Sequence, residues 1–372
     1  MEAEYLARGW TLTKKHSEAN LFVVRGCAVT RKAEHDTDKL IEHLKRHYPT
    51  TRLVIVGCTK KRTSFKTPLE LKDSPIADPL PTRTARAYLK VQDGCNCKCT
   101  FCIVPQFRGE SLSTPFVEAI DKAKRFVEAG YHEIVVTGCN LTQYNSQNRR
   151  LDELVDALAT IDSACRIRVG SIEPGEIATK LVELMAEKPN ICRMLHLPIQ
   201  SGSSRILSAM RRPYTIKSVI DLVNEATKRI PLLGLGCDLM TGFPGESDAD
   251  YGATLGLLNR LPFSNAHVFP FSARPGTYAA GLPGAIGHEI KAARAHELSE
   301  VAAKKRRMFA KKFIGREVEV VIENKKTCTG WTGEYFSCEI VNHQRNRTLE
   351  RKDLVKVHIM DAHEDRLKGA IV

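Results

Sequence analysis

The chain of 372 residues contains no apolar run approaching the roughly 18 residues that a membrane-spanning helix requires, which excludes an ordinary transmembrane anchor. Its opening, MEAEYLARGW, lacks the apolar core of a secretory leader. Aromatic residues are scarce, at 6%, yet 42% of the chain is hydrophobic, so the composition excludes disorder and supplies cores for two or three domains. Neither internal repeats nor low-complexity tracts are present. Acidic residues are outnumbered, 43 against 56 Lys and Arg, and the net charge of +13 points to a polyanionic partner, nucleic acid first among them. Without a leader, twelve cysteines read as thiols and metal ligands of a cytoplasmic chain rather than as a disulfide framework.

Those cysteines are concentrated where the chain reads GCNCKCTFCIVPQFRG, residues 94–109. Cys95, Cys99 and Cys102 stand in a C-x3-C-x2-C spacing, which lets three thiolates wrap one face of an iron-sulfur cube and leaves one iron open. With Cys97 included, the four thiols also suit a tetrahedral zinc site. Cys97 has no role in the cluster reading.

Along the chain, residues 1–72 read as a small α/β unit. LFVVRG and RLVIVG are short apolar strands flanking a helical KLIEHLKRHY, and they deliver Cys27 and Cys58 at their carboxyl ends, where ligands of open α/β sheets collect. Residues 73–85, rich in proline, read as a linker. From 86 to 285 strand and helix patterns alternate six times, which predicts parallel strands with crossover helices and hence an α/β fold built as an open, partial (β/α)6 barrel, with its chemistry at the strand carboxyl ends. Residues 286–314 read as a basic helical connector containing KKRR at 304–307, and residues 315–372 as a small β-barrel.

The aromatic before Cys102, the following I-V-P and the Arg-Gly pair make this chain resemble the radical S-adenosylmethionine (SAM) methylthiotransferases. VVTGCNLTQY (135–144), RIRVGSIEP (166–174), HLPIQSGSSRILSAMRR (196–212), DLMTGFPGES (238–247) and FPFSARPGT (269–277) extend the resemblance over nearly the whole chain. SIEP and FPFSARPGT are most similar to the branch that acts on threonylcarbamoyladenosine beside the tRNA anticodon.

The resemblance implies a 4Fe-4S cluster on Cys95, Cys99 and Cys102 whose open iron chelates SAM, and an auxiliary cluster held through Cys27 and Cys58. It implies a C-terminal TRAM-like, RNA-binding barrel, tRNA as partner and an electron-donor protein. One SAM would methylate a sulfur on the auxiliary cluster, and a second would yield the radical that removes hydrogen from the adenine carbon. For the cofactor pocket it implies Gly138 and Asn140 near the SAM amino group, and Ser171 and Glu173 toward its ribose or methionyl part. Gln200, with Ser201 and Gly202, would line the pocket, Phe243 would stack on adenine, and Arg211 with Arg212 would meet a carboxylate or phosphate. Each polar residue reads equally as a helix cap or turn residue.

One departure stands out. The family holds its auxiliary cluster with three cysteines, and the first would fall before Met1. Arg25, Lys60, Lys61 and Arg62 favour thiolates at the remaining two. Two other functions therefore stay open, a methylthiotransferase acting on a ribosomal protein and a truncated, non-catalytic RNA-binding homologue.

Overall fold

The computed structural model describes residue 5 and residues 9–59, 84–341, 349–363 and 366–372. Lys60, Lys61, Arg62 and residues 73–83 of the expected linker lie outside the described residues. The chain forms two bodies whose division does not follow chain order. Residues 94–110 and 272–281 join the N-terminal segment in one body, and the remaining described residues form the other.

In the first body, β1 (Leu21–Cys27) and β2 (Arg52–Cys58) flank α1 (Arg31–His47). Thr30 caps α1 by accepting the Ala33 N–H at 3.1 Å. Ile41 and Leu44 of α1 pack on Val24 and Ile55, giving the small unit its core. The strands are parallel and in register from Leu21↔Arg52 to Cys27↔Cys58, so the two cysteines end the strands at the same level. Gly57 just before Cys58 sits at φ +95°, and a Cβ there would lie 2.4 Å from the Gly26 carbonyl, which requires glycine. A short helix, α2 (Val104–Arg108), belongs to the same body.

The second body carries six parallel strands: β3 (Ala87–Lys90), β4 (Glu133–Thr137), β5 (Arg166–Val169), β6 (Met194–Gln200), β7 (Gly234–Thr241) and β8 (Asn265–Pro270). They run in the order β3-β4-β5 and β6-β7-β8. An isolated bridge, Ile167↔Ile191, and the Ile172 N–H donating to the His196 carbonyl at 2.9 Å link the two halves. Helices α3 (Phe116–Glu128), α4 (Leu151–Ala159), α5 (Glu176–Glu187), α6 (Ser204–Ala209), α7 (Ile216–Arg229) and α8 (Asp248–Arg260) connect them. This is the open (β/α)6 arrangement that the alternating pattern predicts.

Period-two alternation divides each strand. Ile134, Val136, Ile167, Val169, Leu195, Leu197, Leu235, Cys237 and Leu239 pack against the helices in one large core. The face turned away from the helices carries Glu133, Arg166, Arg168, His196 and Asp238. After α9 (His288–Ala310), the strands β9 (Glu317–Asn324), β10 (Thr329–Thr332), β11 (Ser337–Ile340), β12 (Leu354–His363) and β13 (Arg366–Ile371) close a barrel in the order β9-β10-β11-β13-β12. Phe336, Val320, Ile322, Val357 and Leu367 fill it.

This terminal barrel is bonded to the strands it follows. Arg166 and Arg168, both buried, pair with Glu133, which is fully buried. Arg166 also donates to the carbonyls of Glu319 (2.8 Å) and Trp331 (3.1 Å), and Arg168 to those of Thr332 (2.8 Å) and Gly333 (3.0 Å). The basic run 304–307 is split in the same way. Lys305 donates to the Asn259 carbonyl at 2.9 Å and Arg306 lies 4.3 Å above the Phe336 ring, while Lys304 and Arg307 stay exposed.

Burial works to raise the Glu133 pKa, and the Arg168 and Arg166 guanidiniums overcome it, bringing the carboxyl down to about 2. A lowered carboxylate contributes stability that is present above the ordinary value of 4.5 and lost as pH falls from there through about 2. Glu133→Gln is expected to cost about 3–5 kcal/mol at neutral pH, because it leaves two buried guanidiniums without their counter-charge. It should also flatten the acid limb between those two pH values. Denaturant unfolding across a pH series reads both, and an unchanged midpoint would mean that the ion pair does not hold the terminal barrel.

Candidate active site

In the first body, residues 94–110 form a loop pinned at its base. Gly94, at φ +71°, lies so close to the Glu110 carbonyl that a Cβ would come within 1.8 Å, and the Cys95 N–H donates to the Gly109 carbonyl at 3.1 Å. Inside the loop the Cys97 N–H points at the Cys95 sulfur (3.4 Å), and the Cys102 N–H closes a turn onto the Cys99 carbonyl (3.1 Å). All four thiols are half-buried. Among the described residues, only His196, Asp238 and His267 bring three ligand atoms within 4.8 Å of one another. The loop cysteines are thus not gathered as one tetrahedral zinc would gather its sulfurs, about 3.8 Å apart at Zn–S of about 2.3 Å. Ligands to separate irons of a cube need no such convergence.

Two further segments order this loop. Gln106 donates to the Gly276 carbonyl at 2.8 Å, and the Ala279 N–H donates to the Thr100 carbonyl at 2.8 Å. Residues 272–281 are tied in turn to α1, through the Arg31 N–H on Ser272 Oγ (3.2 Å) and Arg274 on Glu34 (2.5 Å). Arg108, the arginine of the F-R-G flank, donates its Nε–H to Cys58 Sγ at 3.1 Å. Cys58 stands beside Cys27 at the strand ends, so both cysteine sets lie in one body, joined by this guanidinium. The sequence flagged the Arg-Gly pair only as a flank. Arg25 is exposed.

In the second body the carboxyl ends of β4, β5 and β6 carry a polar chain. Gln92 accepts the Asn140 N–H at 2.8 Å and donates to Ser111 Oγ at 2.9 Å. Gly138 packs on this glutamine, and a Cβ there would lie 2.9 Å from both Gln92 Oε1 and Leu141. Asn140 reaches Glu173 Oε1 at 3.5 Å, and Arg212 meets the same oxygen at 2.9 Å. Arg212 also holds the Tyr214 hydroxyl (2.9 Å), which donates to the Pro198 carbonyl (2.7 Å). Asn140, Glu173 and Arg212 therefore form one network.

The other expected residues divide. Ser171 is exposed beyond β5. Arg211 is exposed in a turn at φ +56°, and its neighbour Arg212 is the one in the network. Gln200 is buried at φ +72°, and its Oε1 has no hydrogen-bond partner. Ser201 and Gly202 are buried and bonded within the fold, Ser201 Oγ accepting the Ser203 N–H at 3.1 Å. Thr254 of α8 accepts the Gly202 N–H at 2.9 Å, and Ser203 caps α6 and donates to Asp250 at 2.6 Å. Asp250 is held far below the usual carboxylate range by Arg205 first, with Ser203 and Ser247 adding hydrogen bonds against its burial. Phe243 departs from the expectation of an adenine platform, because it is wholly buried with its ring edge-on to Phe271 at 5.5 Å. The turn around it is fixed by Glu246, which accepts the Gly242 N–H (2.8 Å) and pairs with Arg294 (2.6 Å). Burial still pushes the Glu246 carboxyl upward.

Residues 89–258 match the radical SAM superfamily, and residues 1–74 match a family described as uncharacterized protein family UPF0004. A tRNA-2-methylthio-N(6)-dimethylallyladenosine synthase of Cereibacter sphaeroides is 32% identical over 407 residues, covering 98% of this chain and 92% of that protein. A threonylcarbamoyladenosine tRNA methylthiotransferase of Chlamydia pneumoniae is 31% identical over 377 residues, covering 95% and 89%.

Gly138→Ala is expected to drive the Gln92 side chain off the Asn140 amide, lowering stability by about 1–3 kcal/mol as overpacking does. Hydrogen exchange at the Asn140 N–H should speed by tenfold or more. Unchanged exchange would mean that Gly138 does not seat this network.

Proposed function

We propose, from the premise that this chain belongs to the radical SAM methylthiotransferase family, that it places a methylthio group on the adenine of N6-threonylcarbamoyladenosine beside the anticodon of tRNA. As a member of that family it is an enzyme that uses SAM and a 4Fe-4S cluster. The observation that supports methylthio transfer is the Arg108 contact with Cys58, because sulfur transfer needs the two cysteine sets together.

Cys95, Cys99 and Cys102 would hold the SAM-activating cluster, and Cys27 with Cys58 would hold the auxiliary one. When bound, the first cluster and SAM supply an organic radical, which an unreactive aromatic C–H needs because it offers no acidic proton to a base. The chain's own residues supply binding and order. Arg108 holds its guanidinium beside the Cys58 sulfur, and half-burial of the loop thiols limits water around them. Glu173, fixed by Arg212 and Asn140, presents an oriented carboxylate. Gln200 offers an unfilled acceptor, exposed Ser171 and Arg211 offer a hydroxyl and a cation, and Gly138 leaves room for Gln92 to hold the Asn140 N–H.

The SIEP and FPFSARPGT segments support the threonylcarbamoyl branch. The relative named for dimethylallyladenosine makes that nucleoside the competing substrate. Exposed Lys304, Arg307, Lys311 and Lys312 support tRNA over a ribosomal protein, since phosphate neutralisation supplies much of the affinity for RNA. An electron-donor protein of the cytoplasm would complete the set of partners. No helix among the described residues is long and apolar enough to cross a membrane.

Mass spectrometry of tRNA nucleosides from cells with and without the gene tests the substrate. Loss of the methylthio form of threonylcarbamoyladenosine is expected, and loss of the dimethylallyl form instead would reassign it. Replacing Cys95, Cys99 and Cys102 by Ala should remove about four irons per chain and abolish SAM cleavage. Lys304→Ala with Arg307→Ala should weaken tRNA binding and reduce the salt slope by about 0.7–0.9 for each phosphate that is no longer neutralised. An unchanged slope would move the RNA surface elsewhere.

A further inference from the structure

Three neighbouring strands of the second body bring two histidines and a carboxylate to one point on the face turned away from the helices. Asp238 of β7 pairs directly with His267 of β8, and His196 of β6 pairs with Gly236, two residues before Asp238 on the same face. Gly236 makes the room. A Cβ at that position would lie 2.6 Å from His196 Nδ1, so the glycine lets the ring lie over β7 with its other nitrogen toward Asp238. His196 Nε2 is 3.1 Å from Asp238 Oδ1, and His267 Nδ1 is 3.4 Å from the same oxygen. All three ligand atoms lie within 4.8 Å of one another.

We propose that His196, Asp238 and His267 form a binding site for a divalent transition-metal ion of the zinc or ferrous class, separate from the cysteine ligands. Two ligands each about 2.1 Å from one ion and about 90–109° apart lie about 3.0–3.4 Å from each other, and both Asp238 contacts fall in that range. The 3.4 Å contact is long for a hydrogen bond, whose N–H···O distances run about 2.7–3.2 Å, yet it suits two ligands sharing an ion. Two imidazoles and one carboxylate are a donor set of catalytic zinc and of non-haem iron, both of which keep coordination positions open. His196 is buried, which fixes its ring, whereas the His267 side chain is 65% exposed and gives the ion a way in. The strands also fix the geometry better than a loop would.

The site is independent of methylthio transfer, and so is its test. Cluster-loaded protein, kept anaerobic, is titrated with Zn²⁺ against a chromophoric chelator, beside His267→Ala and Asp238→Asn. The cysteines are the same in all three proteins, so zinc taken by stray thiols cancels. Wild type is expected to hold one more tight zinc than either variant, or to hold it at least 100-fold more tightly. Co²⁺ in that site should give ligand-field bands without added thiolate charge-transfer absorption. Because His267 is exposed, its replacement should leave the thermal midpoint of the metal-free protein unchanged. Equal zinc stoichiometry and affinity in wild type and His267→Ala would overturn the proposal, as would cobalt bands that persist in that variant.

Discussion

The second body depends on a carboxylate buried away from solvent. Glu133 is fully buried between Arg166 and Arg168, and one negative charge cannot neutralise two guanidiniums. A buried pair of this kind stabilises only if the remaining donors are satisfied. Four backbone carbonyls of the terminal barrel do this, from Glu319, Trp331, Thr332 and Gly333. The barrel, for which the family resemblance implies RNA binding, is thus part of the electrostatic closure of the parallel strands. Removing it would strand charges in the body it leaves behind.

The same face of those strands carries a second polar group, His196, Asp238 and His267. In a closed eight-stranded barrel the inward positions are filled by branched apolar side chains in layers. Here the large apolar core lies on the helix side, and the opposite face carries Glu133, Arg166, Arg168, His196, Asp238 and His267 among a few apolar side chains such as Val135 and Met194. A six-stranded sheet left open needs no such packed interior. Its inward positions can carry polar groups instead, one set spent on the terminal barrel and the other, His196, Asp238 and His267, of ligating type.

The strand pattern and the cysteines were legible because each rests on a local rule. Short apolar runs alternating with helical patterns located all six strands, and the sequence put Cys27 and Cys58 at strand carboxyl ends, which the register then sets level. Contacts between distant segments were not legible. RIRV read as a strand, but only its pairing with β4 shows that both arginines turn to Glu133. The F-R-G flank gave no sign that Arg108 reaches back to Cys58, fifty residues earlier. Stacking by Phe243 came from the resemblance alone, and its burial against Phe271 required the fold. In KKRR the charges are equal on paper. Helix geometry turns Lys305 and Arg306 inward and leaves Lys304 and Arg307 to solvent.

The cysteine loop shows how order reaches a ligand set that has no regular structure to lean on. Its ends are clamped by Gly94 against Glu110, so it leaves and rejoins the chain at nearly one point. Clamping the ends prevents drift but does not fix the middle, since a loop of this length keeps most of its internal freedom. The middle is fixed by three contacts from elsewhere in the first body, those of Thr100, Gln106 and Arg108. Two of them come from residues 272–281, which α1 holds in turn through Arg31 and Glu34. Cys95, Cys99 and Cys102 are therefore positioned by the N-terminal body. The end of β2, through Cys58 and Arg108, thus helps to order the cysteine loop as well as carrying its own thiol.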